Sequence, residues 1–437
     1  MRFKNKNVAL IGLGIEGKDA LKFLLGEGAF ITVFDQKEKS ELDLTGLMIK
    51  KIKFICGKNY LDGDFSNFDY IVRSPGVYPY KPALLKAKKE GVLITSPIKI
   101  FFERCAGKII GVTGTKGKGT TSSLIYEILR KVQKEVFLAG NIGIPYLSLL
   151  KKITKNSWVV MELSSFQLID LRKSPHIAVV LNITKDHLDW HKDIKEYVNA
   201  KKNIVRYQNE KDFAVINSDY KVSKGFGKVA KGKVIYFSGK DVLKFYNTKK
   251  FLLLGKHNWE NIAAATAVSR VLGIGRKIVQ KVVYNFKGLE HRLEFVGKGR
   301  GVSFYNDSFS TNPQPSIAAV NSFNAPITII LGGYDKGLDY TELGEVISKK
   351  KNVGCVVLIG DTARKIKEAL FYAKYNGKII ELGKPPTREI VKVAFKNTPK
   401  DGVVVFSPAS ASFDMFDDYK QRGKIFKKEV LNFLKNH

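Results

Sequence analysis

The chain alternates between short unbroken apolar runs and longer stretches in which apolar residues recur every three or four positions. The unbroken runs are NVALIGLG (7–14), FITVFD (30–35), FDYIVRSPGV (68–77), GKIIGV (107–112), SWVVMEL (157–163), HIAVVLNI (176–183) and FAVIN (213–217). They read as buried strands, the one in 68–77 leading into a turn at Pro75 and Gly76. KDALKFLLGEG (18–28), ended by Gly28, and TSSLIYEILRKV (121–132) carry helical spacing. A last series repeats the strand pattern in GVSFYND (301–307), ITIILGG (327–333), VGCVVLIG (353–360), GKIIEL (377–382) and GVVVFSPAS (402–410). Buried strands alternating with amphipathic helices predict parallel α/β layers. The expected fold class is therefore α/β in three domains. A Rossmann-like domain covers 1–96, a P-loop ATPase-like domain covers 97–288, and a second Rossmann-like domain covers 289–437.

Composition narrows this picture. The 437 residues leave room for two to four domains, and 44% hydrophobic with 11% aromatic content is that of a folded chain. No tandem repeat or low-complexity tract is present. The net charge of +33 invites a nucleic-acid reading, but lysines are spread along the whole chain without arginine-rich clusters. A polyanionic small substrate suits that field better, and no nucleic-acid partner is expected. Cys56, Cys105 and Cys355 are far apart, odd in number and fit no C-x-x-C spacing, so no disulfide framework is expected. The N-terminal basic residues mimic a signal peptide, yet the apolar run after them is short and soon meets Glu16, Lys18 and Asp19. No stretch reaches membrane-spanning length, so a cytoplasmic location without membrane insertion is expected.

The candidate chemistry sits at strand ends. GLGIEG places Gly12, Gly14 and Gly17 in G-x-G-x-x-G spacing between a strand and a helix, and Asp35 ends the next strand. Such glycines let a diphosphate reach a helix N-terminus, and the acidic residue can bond a ribose or base. GVTGTKGKGTTS (111–122) is a second glycine-rich turn between strand and helix. Backbone N–H groups of residues 114–119 form a candidate anion nest, with Lys118 as a point charge on the phosphates. Gly119 stands where a Mg²⁺-ligating hydroxyl is usual, and Thr120 is the nearest substitute. Glu162 ends one buried run; Asn182, Asp186, His187 and Asp189 end another, where ligands of parallel sheets bind. Glu162 offers hard oxygen for Mg²⁺. The His187–His191 spacing would suit a pair of Zn²⁺ ligands, but no third soft ligand follows. Asn258 and Asn261 share a helical face, and Arg292 can bridge phosphates.

Taken with AGNIGIP, ELSSFQL, LNITKDHLDWH, GKHNWENIAAA, HRLEF, NDSFSTNP, LGGYDKG and SPASASFDMFDDYKQRG, these segments resemble the Mur ligase family nearly end to end. ELSSFQL and the C-terminal segment resemble the members that add D-glutamate. The resemblance implies that ATP phosphorylates the L-alanine carboxylate of UDP-N-acetylmuramoyl-L-alanine, and that the D-glutamate amine then attacks the acyl phosphate. It implies a UDP-sugar-binding first domain, an ATP-binding central domain and an amino-acid-binding third domain.

Residue by residue, the resemblance gives Gly114, Thr115, Lys116, Gly117, Lys118, Gly119 and Thr120, with Asn258, Asn261, Arg292 and Asp307, to ATP. It gives Gly14, Ile15, Glu16, Gly17, Asp35, Gln36, Lys37, Gly76, Asn141 and His187 to the UDP-sugar. Thr311, Lys336, Ser412 and Tyr419 would surround the D-glutamate carboxylates. The same resemblance implies that Lys118, His187 and Lys201 would carry catalysis, Lys201 as a carbamate whose added CO₂ would turn a cation into a Mg²⁺ ligand. Two Mg²⁺ ions are implied, held by Thr120, Glu162, His187 and Lys201. The family also implies a monomer. Gly119 departs from the Ser or Thr of relatives, and Phe309 stands where close relatives carry Lys.

Other readings use less of the chain. A nicotinamide-dependent oxidoreductase would use GLGIEG but leave the second loop idle. A nucleic-acid-binding ATPase would use the charge and little else. A folate polyglutamate synthetase would leave Gly12 to Asp35 without a role.

Overall fold

The computed structural model describes residues 1–47, 52–253 and 255–436. Among them the chain forms three sheets. The first takes β1 (Asn7–Ile11), β2 (Phe30–Asp35), β3 (Lys53–Cys56), β4 (Tyr70–Arg73) and β5 (Leu93–Thr95) in the order β3-β2-β1-β4-β5. All its pairings are parallel, with Val8 facing Ile31 on one side and Tyr70 on the other. The chain reverses direction across the sheet at β1, so the turn after Ile11 opens into the crevice where such sheets bind ligands.

The second sheet takes β6 (Lys108–Thr113), β7 (Val136–Gly140), β8 (Trp158–Glu162), β9 (Ile177–Val180), β10 (Phe213–Asn217) and β11 (Lys233–Phe237). Its order is β11-β10-β9-β6-β8-β7, again all parallel. The third takes β12 (Glu294–Gly299), β13 (Val302–Asn306), β14 (Ile327–Gly332), β15 (Val353–Ile359), β16 (Lys378–Gly383) and β17 (Val403–Phe406) in the order β12-β13-β17-β14-β15-β16. Only β12 runs antiparallel to its neighbour there. The expected α/β class is what the chain adopts.

Alternation along each central strand fills a core on both faces. In β1, Val8 and Leu10 enter one apolar cluster while Ala9 and Ile11 enter another. In β15, Val356 and Leu358 face one cluster and Cys355, Val357 and Ile359 the other. The chain divides into two compact units. One comprises Met1–Tyr246 with Trp259–Val282; the other comprises Asn247–Asn258 with Val283–His437.

Within the first unit a single apolar cluster runs from Phe3 and Leu10 through Phe101 and Tyr146 to Met161 and Ile216, joining the first two sheets. Buried Asp19 reinforces the junction by accepting the N–H groups of Tyr146 (3.0 Å) and Leu147 (2.7 Å). Arg73, fully buried, and Lys99 both pair with Asp170, at 2.8 and 2.7 Å. No helix among the described residues is long and apolar enough to cross a membrane.

The strands differ from expectation in two ways. β3, β5, β7, β11 and β12 were not expected. The runs expected over 7–14 and 402–410 also stop as strands at Ile11 and Phe406, whereas the run over 68–77 stops at Arg73 and passes into the expected turn at Pro75 and Gly76. The residues beyond those points are apolar or small because they build turns at the ligand edge.

Candidate functional site

The first glycine-rich turn uses each of its glycines differently. Gly12 has φ +87°, the left-handed conformation of a tight turn, with Ser74 Oγ donating to its carbonyl at 2.6 Å. A Cβ at Gly17 would collide with Gly12 O, so this glycine permits close helix–strand packing. A Cβ at Gly14 would meet nothing within 4 Å, leaving open the backbone a ligand would approach. The helix Ile15–Gly26 starts here without a side-chain cap.

This turn borders a cleft of about 1030 Å³. Of the residues expected to hold the UDP-sugar, Gly14, Ile15, Glu16, Gly17, Asp35, Gln36, Lys37, Gly76 and Asn141 all line it; His187 does not. Several polar groups there already have partners. Asp35 accepts the N–H of Leu13 at 2.7 Å and of Lys37 at 2.9 Å, so its carboxylate braces the turn. Glu16 turns inward, accepting Gln167 Nε2 at 2.7 Å and the Tyr146 hydroxyl. Burial pushes its carboxyl up to about 7 against the effect of those bonds and of Arg73. Trp190 Nε1 donates to Gly76 O at 2.8 Å, and its ring meets Tyr78 edge-on and Phe166 at a tilt.

Asn141 leads from this cleft to the second turn. Its Nδ2 donates to Glu162 Oε1 at 3.0 Å, and its N–H donates to Glu162 O at 2.9 Å. Glu162 ends β8 beside β6, whose own end begins the phosphate-type loop. Gly117 has φ +84° and caps the helix Lys118–Leu129 with no side chain on the cap. A Cβ at Gly117 would collide with Asn261 Oδ1, which also accepts Thr121 Oγ1 at 3.1 Å. The uncapped first turn leaves backbone N–H groups aimed at an anion. The nest is smaller than expected, because Thr115 N–H is taken by Asn182 O at 2.7 Å. Lys118 Nζ folds back onto Gly114 O (3.2 Å) and Thr115 O (3.1 Å). Ser122 Oγ and Asn182 Oδ1 are buried without a partner.

Lys201 lies on the helix Ile194–Arg206 and is 2% exposed. Its Nζ donates to Gly114 O at 3.0 Å and lies 3.4 Å from Thr113 Oγ1. Burial first, and then neighbouring Lys118, hold it well below the usual lysine range, against Asp186 and Glu162. Exposed His187 adopts a left-handed φ of 51° and rests on Phe166, with Asp186 Oδ2 at 3.6 Å. His191 is buried between Ser165 Oγ (2.9 Å) and Glu196 Oε2 (3.4 Å), a structural position. Among the described residues no group of three His, Cys, Asp or Glu converges on a metal position. A single buried carboxylate such as Glu162 fits Mg²⁺ shared with phosphate oxygens. Thr120, half-buried in the first helical turn, can add a hydroxyl. The Lys201 amine itself offers no oxygen to a metal.

In the second unit, Thr311, Lys336, Ser412 and Tyr419 follow β13, β14 and β17, whose C-terminal ends share one edge. Tyr334 N–H donates to Ala411 O at 2.9 Å, which joins the loops of Lys336 and Ser412. Lys336 Nζ lies 5.1 Å over the Phe413 ring. Asp307, 4% exposed, accepts Leu293 N–H (3.0 Å), Ser407 Oγ (2.6 Å) and Ser310 Oγ. Burial pushes it up to about 6. The second compact unit holds Asn258, Arg292 and Asp307; the first holds the loop 114–120 and Asn261.

Two organising residues went unnoticed in the sequence. Arg422, 1% exposed, ties the loops together by donating to Ser308 Oγ and O, Ser410 O and Ala411 O at 2.8 to 3.1 Å. Asp19 does the same between the first two sheets. An Arg inside YKQRG and an Asp on an amphipathic helix look like solvated charges, so no sequence signal marks either.

Comparison with known proteins matches three segments to family models. They are the Mur ligase MurD-like N-terminal domain over 6–96, the Mur ligase middle domain over 112–269 and the Mur ligase glutamate ligase domain over 291–410. The chain is 42% identical to the UDP-N-acetylmuramoylalanine--D-glutamate ligase of Acetivibrio thermocellus, covering 99% of this chain and 97% of that protein. It is 39% identical to the protein of the same name from Clostridium tetani, over 98% and 97%. Among solved structures, it shares its fold with the UDP-N-acetylmuramate-alanine ligase MurC of Thermotoga maritima. That pair has TM-score 0.60 and 19% identity, over 98% of this chain and 100% of the other. The MurF ligase of the same organism in complex with ADP gives TM-score 0.55 and 18% identity, over 99% and 96%.

Proposed function

The chain belongs to the Mur ligase family, and on that premise we propose that it joins D-glutamate to UDP-N-acetylmuramoyl-L-alanine at the expense of ATP, in cytoplasmic peptidoglycan precursor synthesis. The observation that carries this reading is the Asn141–Glu162 hydrogen bond. It joins the 1030 Å³ cleft to the carboxylate beside the phosphate-type loop in one network. An oxidoreductase would have no use for that connection.

In the proposed reaction the γ-phosphoryl group of ATP moves to the L-alanine carboxylate and ADP leaves. The D-glutamate amine then attacks the acyl carbon, phosphate leaves, and the amine loses its proton. The chain must hold two anions in contact, which requires fixed positive charge. Lys118 and the first-turn N–H groups of its helix hold the phosphates, Lys118 leaving its bonds to the loop carbonyls. Asn258, Asn261, Arg292 and Asp307 bind the rest of the nucleotide. Asn141 and the turn around Gly14 hold the UDP-sugar, and His187 acts beside the acceptor carboxylate. Thr311, Lys336, Ser412 and Tyr419 bind D-glutamate. Mg²⁺ supplies charge neutralisation between triphosphate and carboxylate, and Glu162, Thr120, His187 and carbamylated Lys201 are the residues that would hold two such ions. The buried position of Lys201 against Gly114 O supports that modification. Boundaries after residues 96 and 288 and a monomeric state complete the proposal.

Phosphate release is measured with UDP-N-acetylmuramoyl-L-alanine and ATP, adding D-glutamate, L-glutamate or L-lysine in turn. Turnover is expected with D-glutamate, and its absence defeats the assignment.

A further inference from the structure

Arg292 is held on a constrained segment of backbone. His291 and Leu293, on either side of it, adopt left-handed φ values of 64° and 44°. Such values cost side-chain-bearing residues energy and persist where surrounding structure fixes them. The fixing contacts are present. Leu293 N–H donates to Asp307 Oδ1 at 3.0 Å, Arg292 N–H donates to Leu289 O at 3.1 Å, and His291 O accepts Phe309 N–H at 3.0 Å.

The same Phe309 supplies a surface for the side chain. The Arg292 guanidinium carbon lies 3.7 Å from the centroid of the Phe309 ring, close contact for a cation over a π face. The Phe309 ring also meets Tyr419, whose ring stands nearly perpendicular to it, with centroids 5.1 Å apart. Phe309 is half-buried, whereas Arg292 is exposed. A lysine at position 309 would bring a second cation beside the guanidinium and repel it. Phenylalanine attracts the same cation through its quadrupole and removes one charge. Contact with the ring narrows the rotamers open to a long arginine side chain, and the narrower that range, the less entropy it loses on binding phosphate.

We propose that Phe309 is a positioning residue that orients Arg292 toward the nucleotide and, through its edge contact with Tyr419, aligns the nucleotide and amino-acid contacts of this unit. The inference rests on the roles of Arg292 and Tyr419 in the proposed ligase.

The test compares ATP affinity, by isothermal titration calorimetry, with steady-state kinetics. Phe309→Leu should weaken ATP binding and raise KM for ATP about threefold to tenfold, the range of an exposed to partly desolvated cation–π contact. kcat should change less than twofold. Phe309→Tyr and Phe309→Trp should restore wild-type values. In an Arg292→Ala background, Phe309→Leu should add nothing further, because the ring then has no guanidinium to orient. Unchanged ATP affinity in Phe309→Leu, or independent losses that multiply in the double variant, overturns the inference. If Phe309→Leu fails to fold, Phe309→Met, which keeps the apolar volume, carries the same comparison. Wild-type protein that binds ATP but shows no D-glutamate-dependent turnover defeats the ligase reading and leaves the Phe309 comparison standing on affinity alone. Wild-type protein that binds no ATP overturns both.

Discussion

Glu16→Gln should make the first compact unit more stable at pH 8 and leave it unchanged near pH 4.5. The Glu16 residue is half-buried, but its carboxyl end points inward, bonded to Tyr146 and Gln167 and facing Arg73 and Asp19. Burial raises its pKa from 4.5 to about 7. Between those values the folded state keeps a proton that the unfolded chain has released, so stability falls as pH rises through this window. At about 1.4 kcal/mol per pH unit the loss reaches about 3 kcal/mol at pH 7 and above. The stabilising proton is fully bound in both states below 4.5, where the contribution no longer varies. Glutamine is neutral throughout. Its amide oxygen can accept one of the two existing bonds, and its NH₂ can donate to the Tyr146 oxygen. Trp158, Trp190 and Trp259, the three tryptophans of the chain, all lie in the first unit, so urea unfolding followed by their fluorescence reports on it. The gain of Glu16→Gln over wild type should grow from nothing at pH 4.5 to about 3 kcal/mol at pH 8. A difference that stays flat across this range, or a variant less stable at pH 8, refutes the reasoning.

Other substitutions separate packing from binding. Gly17→Ala should destabilise the first unit by about 2 kcal/mol or more, since its Cβ collides with backbone, whereas Gly14→Ala should fold within about 0.5 kcal/mol of wild type. Gly14→Ala should still weaken UDP-sugar binding in a calorimetric titration, because it fills the open approach. Gly119→Ser should lower the Mg²⁺ concentration giving half-maximal turnover by restoring a hydroxyl next to Lys118; an unchanged Mg²⁺ dependence would show that the hydroxyl is supplied elsewhere. Arg422→Met should cost the second unit about 3 kcal/mol or more by taking the arginine's hydrogen bonds from Ser308 O and Ser410 O and leaving Ala411 O with only the Tyr334 N–H, read as a lower calorimetric transition, and should raise KM for D-glutamate.

The fold was legible wherever a strand is covered on both faces. β1, β9 and β17 are buried over four consecutive residues and stand out as apolar runs. The five strands that escaped notice are all at sheet edges, where one side is solvated and the apolar run breaks. Leu93 of β5 is 58% exposed and Tyr236 of β11 is 48% exposed. β12 carries a bulge between Phe295 and Gly297, and two glycines that pack against Leu434, a composition that reads as loop. β16 is the one edge strand that was legible, because KIIEL keeps its apolar residues together.

The candidate site was legible in its backbone and much less so in its side chains. Glycine spacing reports a turn directly, because φ values such as those of Gly12 and Gly117 exclude other residues at little cost in inference. A polar side chain reports only a capacity to bond, and neighbours far away in sequence can consume that capacity. Asp35 is spent on the N–H groups of Leu13 and Lys37, Thr115 N–H on Asn182, Gly76 O on Trp190, and Glu16 on Tyr146 and Gln167. Each was expected to face a ligand. A group whose partner can be exchanged without stranding a buried atom is the more available to a ligand. Lys118 qualifies, since its ammonium borrows loop carbonyls of Gly114 and Thr115, and Asn141 qualifies through its own amide oxygen. Lys201 is the opposite case: its amine is buried against Gly114 O beside Lys118, and in the proposed ligase only a carbamate on that amine would bring oxygen atoms to a metal.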